Sequence, residues 1–343
     1  MRASATRRTG QTNMTPRISI AMCTYNGARF VREQLDSIAQ QTLLPDELVI
    51  CDDGSQDETV AICRDFAASA PFSVRIYENQ ANLGVTKNFE KAIGLCTGDW
   101  IALCDQDDVW CPPKLQRIDE TFKRFPDLGA VFTDAELVDE ALRPMNLLLW
   151  NKSTTFFPES GRRRVRKGEL LDVLLRHNVV TGATMAFMSG FRDMVIPVPT
   201  GWDHDNWIAI IVAVFGRVGM VERPLIKYRQ HTDNQIGAQR LTFPGKVSAA
   251  LRASPLAYVH HGDHYAALRE RVLKLGPGLD VAGSLAKIEK KLSHLDNRAH
   301  LPAGVYKRLR AVTKELCNLN YHHFSKGFYS AAVDLFFKER NYE

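Results

Sequence analysis

Trp100-Ile101-Ala102-Leu103-Cys104-Asp105-Gln106-Asp107-Asp108 decides the fold: five apolar residues run straight into an acidic turn. A short apolar run closed by turn residues reads as a buried strand. On an extended segment residues i and i+2 point the same way, so Asp105 and Asp107 face one site. Like charges gathered at a strand end repel, which points to a cation or a demanding ligand there. Two such carboxylates can hold a Mg²⁺ or Mn²⁺ that bridges a diphosphate.

Outward from this run, strand and helix signals alternate. Ile18 to Cys23, Glu47 to Cys51, Val74 to Tyr77 and Ala130 to Thr133 read as strands. Between them Val31, Leu35 and Ile38, then Phe89, Ala92 and Ile93, then Leu115, Ile118 and Phe122 recur at helical spacing. This rhythm predicts an α/β fold with a mostly parallel central sheet flanked by helices. In such sheets ligands bind beyond the carboxyl ends of the strands. Asp52-Asp53 closes the second strand there, whereas Asp57 and Asp134 read as turn and cap residues.

After Asp134 the rhythm weakens. The stretch 146–167, with its basic run from Arg162 to Lys167, reads as a loop or small insertion. Thr181 to Met188 reads as a buried strand, Trp207 to Phe215 as a buried helix and Leu225 to Arg229 as a last strand. Three regions follow: a leader over 1–16, a catalytic α/β domain over 17–242 and a helical C-terminal region over 243–343.

Composition narrows the function classes. Of 343 residues 45% are hydrophobic and 24% charged, ordinary for a globular protein. The longest apolar run, Trp207 to Phe215, is far short of the roughly 20 residues of a membrane span. The seven cysteines form no CxxC pair and sit mostly in apolar runs, as buried thiols of a cytoplasmic protein do. A Rossmann loop would show G-x-G-x-x-G after the first strand, but Cys23-Thr24-Tyr25-Asn26-Gly27-Ala28 has one glycine. No P-loop is present either, so phosphate binding falls to a metal. Residues 246–343 hold 16 basic and 9 acidic side chains, a charge of +7 within a total of +5. That tail faces either solvent or an anionic surface such as the inner leaflet of a membrane, where it would hold the protein peripherally. No nucleic-acid partner is expected.

These stretches resemble a known family. Ile18-Ser-Ile-Ala-Met-Cys-Thr-Tyr-Asn-Gly27, Leu48-Val-Ile-Cys-Asp-Asp-Gly-Ser-Gln-Asp57, Asn82-Leu-Gly84 and the run from Gly98 to Trp110 are similar, in order and spacing, to family 2 glycosyltransferases of the GT-A fold. The resemblance covers about residues 17–240. Thr181-Gly-Ala-Thr-Met-Ala-Phe187, His204-Asp205 and Tyr228-Arg-Gln-His-Thr-Asp-Asn234 resemble its rhamnosyltransferase-type branch.

The resemblance implies roles. Thr24, Tyr25 and Asn82 would line the nucleotide, Asp53 would accept the N3–H of uracil or thymine, and Asp105 would serve the ribose side. Asp107 would hold the metal, with His231 as second ligand or else a surface histidine of a polar loop. Asp205 would be the catalytic base, with Trp202 and His204 on the acceptor side; His204, where relatives have Glu, either selects the acceptor or packs. The implied activity is an inverting transfer of a sugar, rhamnose from dTDP-rhamnose or a UDP-linked sugar, from a nucleotide diphosphate to a glycan or lipid-linked glycan of a surface polysaccharide. A pyrophosphorylase would show a basic glycine-rich loop after the first strand, and a non-catalytic sugar-binding protein would lack the metal acid or the base.

Overall fold

The computed structural model describes residues 16–151, 156–231, 255–302 and 304–336. The leader up to residue 15, and residues 232–254, where the motif after His231 and the 242/243 boundary fall, lie outside the described residues.

The first half alternates as read: β1 (Ile18–Thr24), α1 (Val31–Ala39), β2 (Glu47–Asp52), α2 (Thr59–Ala67), β3 (Ser73–Glu78), α3 (Val85–Leu95) and β4 (Trp100–Cys104). Every residue of β1, β2 and β4 is buried, as parallel strands covered on both faces must be. Helices α1 and α3 turn Val31, Leu35 and Ile38, and Phe89, Ala92 and Ile93, onto the sheet. Register aligns Thr24 with Asp52 and Met22 with Cys104, so the loops after β1, β2 and β4 open at one edge.

The second half comprises β5 (Val109–Trp110), α4 (Lys114–Arg124), β6 (Leu128–Val138), β7 (Pro144–Leu148), α5 (Glu159–Arg166), α6 (Leu170–Leu174), β8 (Met185–Met188), α7 (Arg192–Val195), α8 (His204–Phe215) and β9 (Arg217–Arg229). The strand order is β3-β2-β1-β4-β8-β6-β9-β5, with β7 on β6. The β3-β2-β1-β4 part is parallel, as is β6 with β9, while β8, β5 and β7 pair antiparallel.

Three sequence expectations change. The described parts of 146–167 hold regular structure: the end of β7, a 3-10 turn over Leu149–Asn151 and α5. Helix α5 buries only Val165 and is pinned by Arg166 to Glu222 of β9 and by Arg164 to Asp172 of α6, so charge rather than apolar period defines it. The strand at Thr181 starts only at Met185, because Gly182–Thr184 forms a 3-10 turn against α8. Strand β9 begins at Arg217, well before Leu225, and runs 13 residues along β6.

The chain continues as α9 (Pro255–Leu275), α10 (Ala282–Ala299), α11 (Val305–Cys317), α12 (Asn320–Phe324) and α13 (Phe328–Phe336). Leu268 and Val272 of α9, Ile288 of α10 and Phe324 of α12 join the core of the sheet domain. Leu301, Val312, Tyr321 and Ala331 form a second, small cluster. Cys23, Cys51, Cys63, Cys96 and Cys104 are buried free thiols, whereas Cys317 is exposed.

Candidate active site

The site is built on the loops after β1, β2 and β4, on the end of β9 and on the first turn of α8. After β1, Thr24 Oγ1 donates to Asp52 Oδ1 at 2.7 Å. Asp52 also accepts from the Gly54 and Ser55 amides and the Ser55 hydroxyl, so its carboxylate is spent on the turn. Asp53 is buried. Its Oδ1 accepts from Asn79 Nδ2 at 2.7 Å and the Leu83 amide at 2.8 Å, and its Oδ2 from the Gly84 amide at 2.9 Å. Asn82 Oδ1 accepts from the same Gly84 amide. Asp53, Asn82 and Gly84, read from separate motifs, are one hydrogen-bonded unit. A carboxylate has about four acceptor sites, so three partners leave one for a ligand.

Gln106, which the sequence offered only as a spacer, bridges both backbone groups of Tyr25: it accepts from the amide at 2.8 Å and donates to the carbonyl at 3.0 Å. It ties the β1 loop to the acidic turn. A Cβ on Gly27 would lie 2.2 Å from Gln106 Oε1, so the lone glycine noted in that loop serves this approach. The Tyr25 ring stands about half exposed beside it.

The acids converge here. Asp105 is pushed up to about 7 by burial first, then by the charges of Asp107 and Asp205, against the pull of Lys114. Asp108 is buried with Oδ1 accepting from the Arg229 amide and Oδ2 without a partner; burial, then Asp107 and Asp105, hold it well above the carboxylate range. Lys114, unread in the sequence because nothing local marks it, is fully buried: its ammonium donates to the Ala183 carbonyl at 2.7 Å and sits 3.3 Å from the Trp110 ring centroid. Burial lowers it to about 7, opposed by Cys104, Asp108 and Asp105.

Asp107 and His231 stand 124 residues apart in sequence, yet Asp107 Oδ2 and His231 Nε2 lie 2.7 Å apart. That is a hydrogen-bond contact between the two side chains, and it is also near the roughly 3 Å that separates neighbouring ligands of an octahedral Mg²⁺ at about 2.1 Å each. Among the described residues no group of three or more His, Cys, Asp or Glu could hold a metal.

Asp205 lies in the first turn of α8, behind the N-cap residue Asp203. Its Oδ2 accepts from the Gly182 amide at 2.9 Å and its Oδ1 from the Asn206 amide at 2.6 Å. Burial lifts it to about 6 in spite of both bonds. The same turn packs closely on α8, since a Cβ on Gly182 would meet His204 Nε2 at 2.9 Å.

The two residues expected on the acceptor side are both packed, which for His204 is one of the two alternatives its sequence left open. His204 is buried and stacks on Phe89 at 4.0 Å, neither ring nitrogen has a partner, and burial lowers its pKa to about 4. It packs as a neutral ring. Trp202 is buried between Trp207 and Tyr265, with its indole N–H donated to the His264 carbonyl at 3.1 Å. It joins α8 to α9.

Residues 19–189 match the model of glycosyl transferase family 2. An uncharacterised protein of Mycobacterium tuberculosis is 30% identical over 219 residues, which span 62% of this chain and 59% of that protein. The chain thus covers less than two thirds of that relative's length. A dTDP-rhamnosyl transferase of Shigella flexneri is 37% identical over 99 residues, 28% of this chain and 34% of its own. Among solved structures, S. aureus TarS 1–349 in complex with UDP-GlcNAc superposes with a TM-score of 0.55 at 14% identity, over 93% of this chain and 88% of that one. At such identity the likeness speaks to the fold, which is that of GT-A glycosyltransferases.

Proposed function

From the match of residues 19–189 to glycosyl transferase family 2 we propose that the protein is a member of that family and transfers a sugar from a nucleotide diphosphate to a hydroxyl of a glycan or lipid-linked glycan, with inversion. The observation that carries this reading is the meeting of Asp105, the Asp107–His231 pair and Asp205 at one sheet edge.

The residues divide the work. Asp53, through its remaining acceptor site, and the Tyr25 ring take the base, and Asp105 lies toward the ribose. Asp107 and His231 would hold Mg²⁺ or Mn²⁺, which when bound supplies Lewis-acid stabilisation of the leaving diphosphate. Asp205, held rigid by the Gly182 and Asn206 amides, accepts the proton of the attacking hydroxyl as the new bond forms. Attack on the side opposite the leaving group inverts the anomeric carbon.

Rhamnose from dTDP-rhamnose is the donor we favour, supported by the Shigella relative; UDP-linked sugars are the second reading, because Asp53 meets the same N3–H in thymine and uracil. A thermal-shift panel of dTDP-rhamnose and UDP-sugars with Mn²⁺ separates them, since only the true donor should raise the melting temperature strongly. The metal assignment is tested by calorimetry with the nucleoside diphosphate. Asp107→Ala should abolish the Mn²⁺-dependent part of binding, and unchanged affinity would overturn the assignment.

A further inference from the structure

Helix α11 (Val305–Cys317) shows two unlike sides. Arg308, Val312 and Glu315 turn inward and are buried. At the outer side Tyr306 is 89% exposed, Val305 60% and Leu309 45%. Lys307, Arg310 and Lys314 are exposed too, and the only acid of the helix, Glu315, is paired inside with His294. At 100° per residue Tyr306 and Arg310 share the crest, Val305 and Leu309 lie on one flank, and Lys307 and Lys314 on the other. Among the described residues no helix is long and apolar enough to cross a membrane.

We propose that the outer side of α11 docks the protein on an anionic lipid bilayer, a partner that extends the reading of a lipid-linked acceptor above. Apolar and aromatic side chains on one flank with lysine and arginine on the other are what an interfacial helix needs: the rings enter the headgroup boundary while the cations meet lipid phosphates. The +7 balance of residues 246–343 adds to the attraction. A second copy of the chain is a poorer occupant, because a two-fold contact would set Lys307, Arg310 and Lys314 against themselves.

The test uses the full chain, without donor, sedimented with vesicles of phosphatidylcholine alone or mixed equally with phosphatidylglycerol. Binding should require the anionic lipid and fall with salt. Each basic side chain near such a surface contributes about fivefold to partition, so Lys307→Gln/Arg310→Gln should weaken binding at least tenfold. Tyr306→Ser/Leu309→Ser should weaken it as well at unchanged melting temperature. Transfer to a short water-soluble acceptor should stay at the wild-type rate in all variants. Equal binding to both vesicles, variants that bind like wild type, or self-association removed by the same substitutions in light scattering would each overturn the docking surface. Loss of donor binding in a separate assay would instead count against the transferase reading.

Discussion

A base that must take a proton from a hydroxyl works best with a pKa near the working pH. Burial brings Asp205 to about 6, and two consequences run in opposite directions. Below pH 6 the carboxyl is protonated and cannot accept, so kcat/KM should fall about tenfold per pH unit there and level off above. Stability behaves otherwise. The folded pKa lies above the unfolded one, so between about pH 4 and 6 the folded chain binds more protons at this group, and its contribution to stability declines as pH rises. Asp205→Asn should remove the acidic limb, lower turnover by about 10²- to 10⁴-fold and leave donor affinity unchanged. A mutant of wild-type rate, measured in one turnover assay beside calorimetry, would make Asp205 a spectator and turn attention to Asp203. Residues of this kind were legible because acids at strand and helix ends stand out in a line of text. Gln106 and Lys114 were not: one acts on the backbone of Tyr25, the other through the carbonyl of Ala183 and the face of Trp110, and none of these partners is adjacent to it in sequence.

At the scale of elements, the end of β9 is what holds the acidic turn in place. Arg229 is buried; its amide donates to Asp108 Oδ1 at 3.0 Å and its Nε to the Asp107 carbonyl at 2.7 Å. Its guanidinium also reaches the Glu33 carboxylate and the Glu140 carbonyl and lies 4.5 Å from the Phe30 ring centroid. One planar fork thus braces the loop bearing Asp107 against α1 and the β6–β7 turn, two residues before His231. Lysine keeps the charge and loses the fork. Arg229→Lys should therefore weaken Mn²⁺ binding about tenfold, on the scale of lost support behind a metal ligand, with a lower melting temperature. Equal Mn²⁺ affinity in a titration of mutant and wild type would show that β9 braces the fold and not the metal pair. The parallel half of the sheet was readable because β1, β2 and β4 are short, wholly buried, largely apolar runs and the helices between them repeat cleanly. Helix α5 escaped because its positions are fixed by Glu222 and Asp172, charges that lie in other elements. The strand expected from Thr181 was shortened by a turn whose Gly182 amide bonds Asp205, a partner in another element.

At the scale of the molecule, the last helices are joined by polar contacts more than by apolar ones. Their own cluster is small, four buried side chains. Around it Arg298 of α10 donates Nε to Asp334 Oδ2 at 2.6 Å and also bonds the Ser325 and Tyr258 hydroxyls, while the Tyr321 hydroxyl donates to Asp334 at 2.8 Å. Asp334 is fully buried on α13 and Arg298 nearly so, 36 residues away. Removing one partner of a buried pair leaves the other charge unpaired and costs about 3–5 kcal/mol, a large share of a domain's stability. Asp334→Ala should therefore loosen 301–336, read as early proteolytic cleavage in that region and a lowered first melting transition. The sheet domain takes most of its core from its own strands and helices, with Leu268, Val272, Ile288 and Phe324 added from the C-terminal helices, so donor binding by calorimetry should persist in the mutant. Replacing both partners, Arg298→Met with Asp334→Leu, should recover much of the loss, because two apolar groups need no partner. If Asp334→Ala melts like wild type, the network contributes nothing to holding these helices. If donor binding disappears with them in a single transition, the contacts of α9, α10 and α12 with the main core make the whole chain one cooperative unit, and a separate C-terminal region read from the sequence has no thermodynamic counterpart.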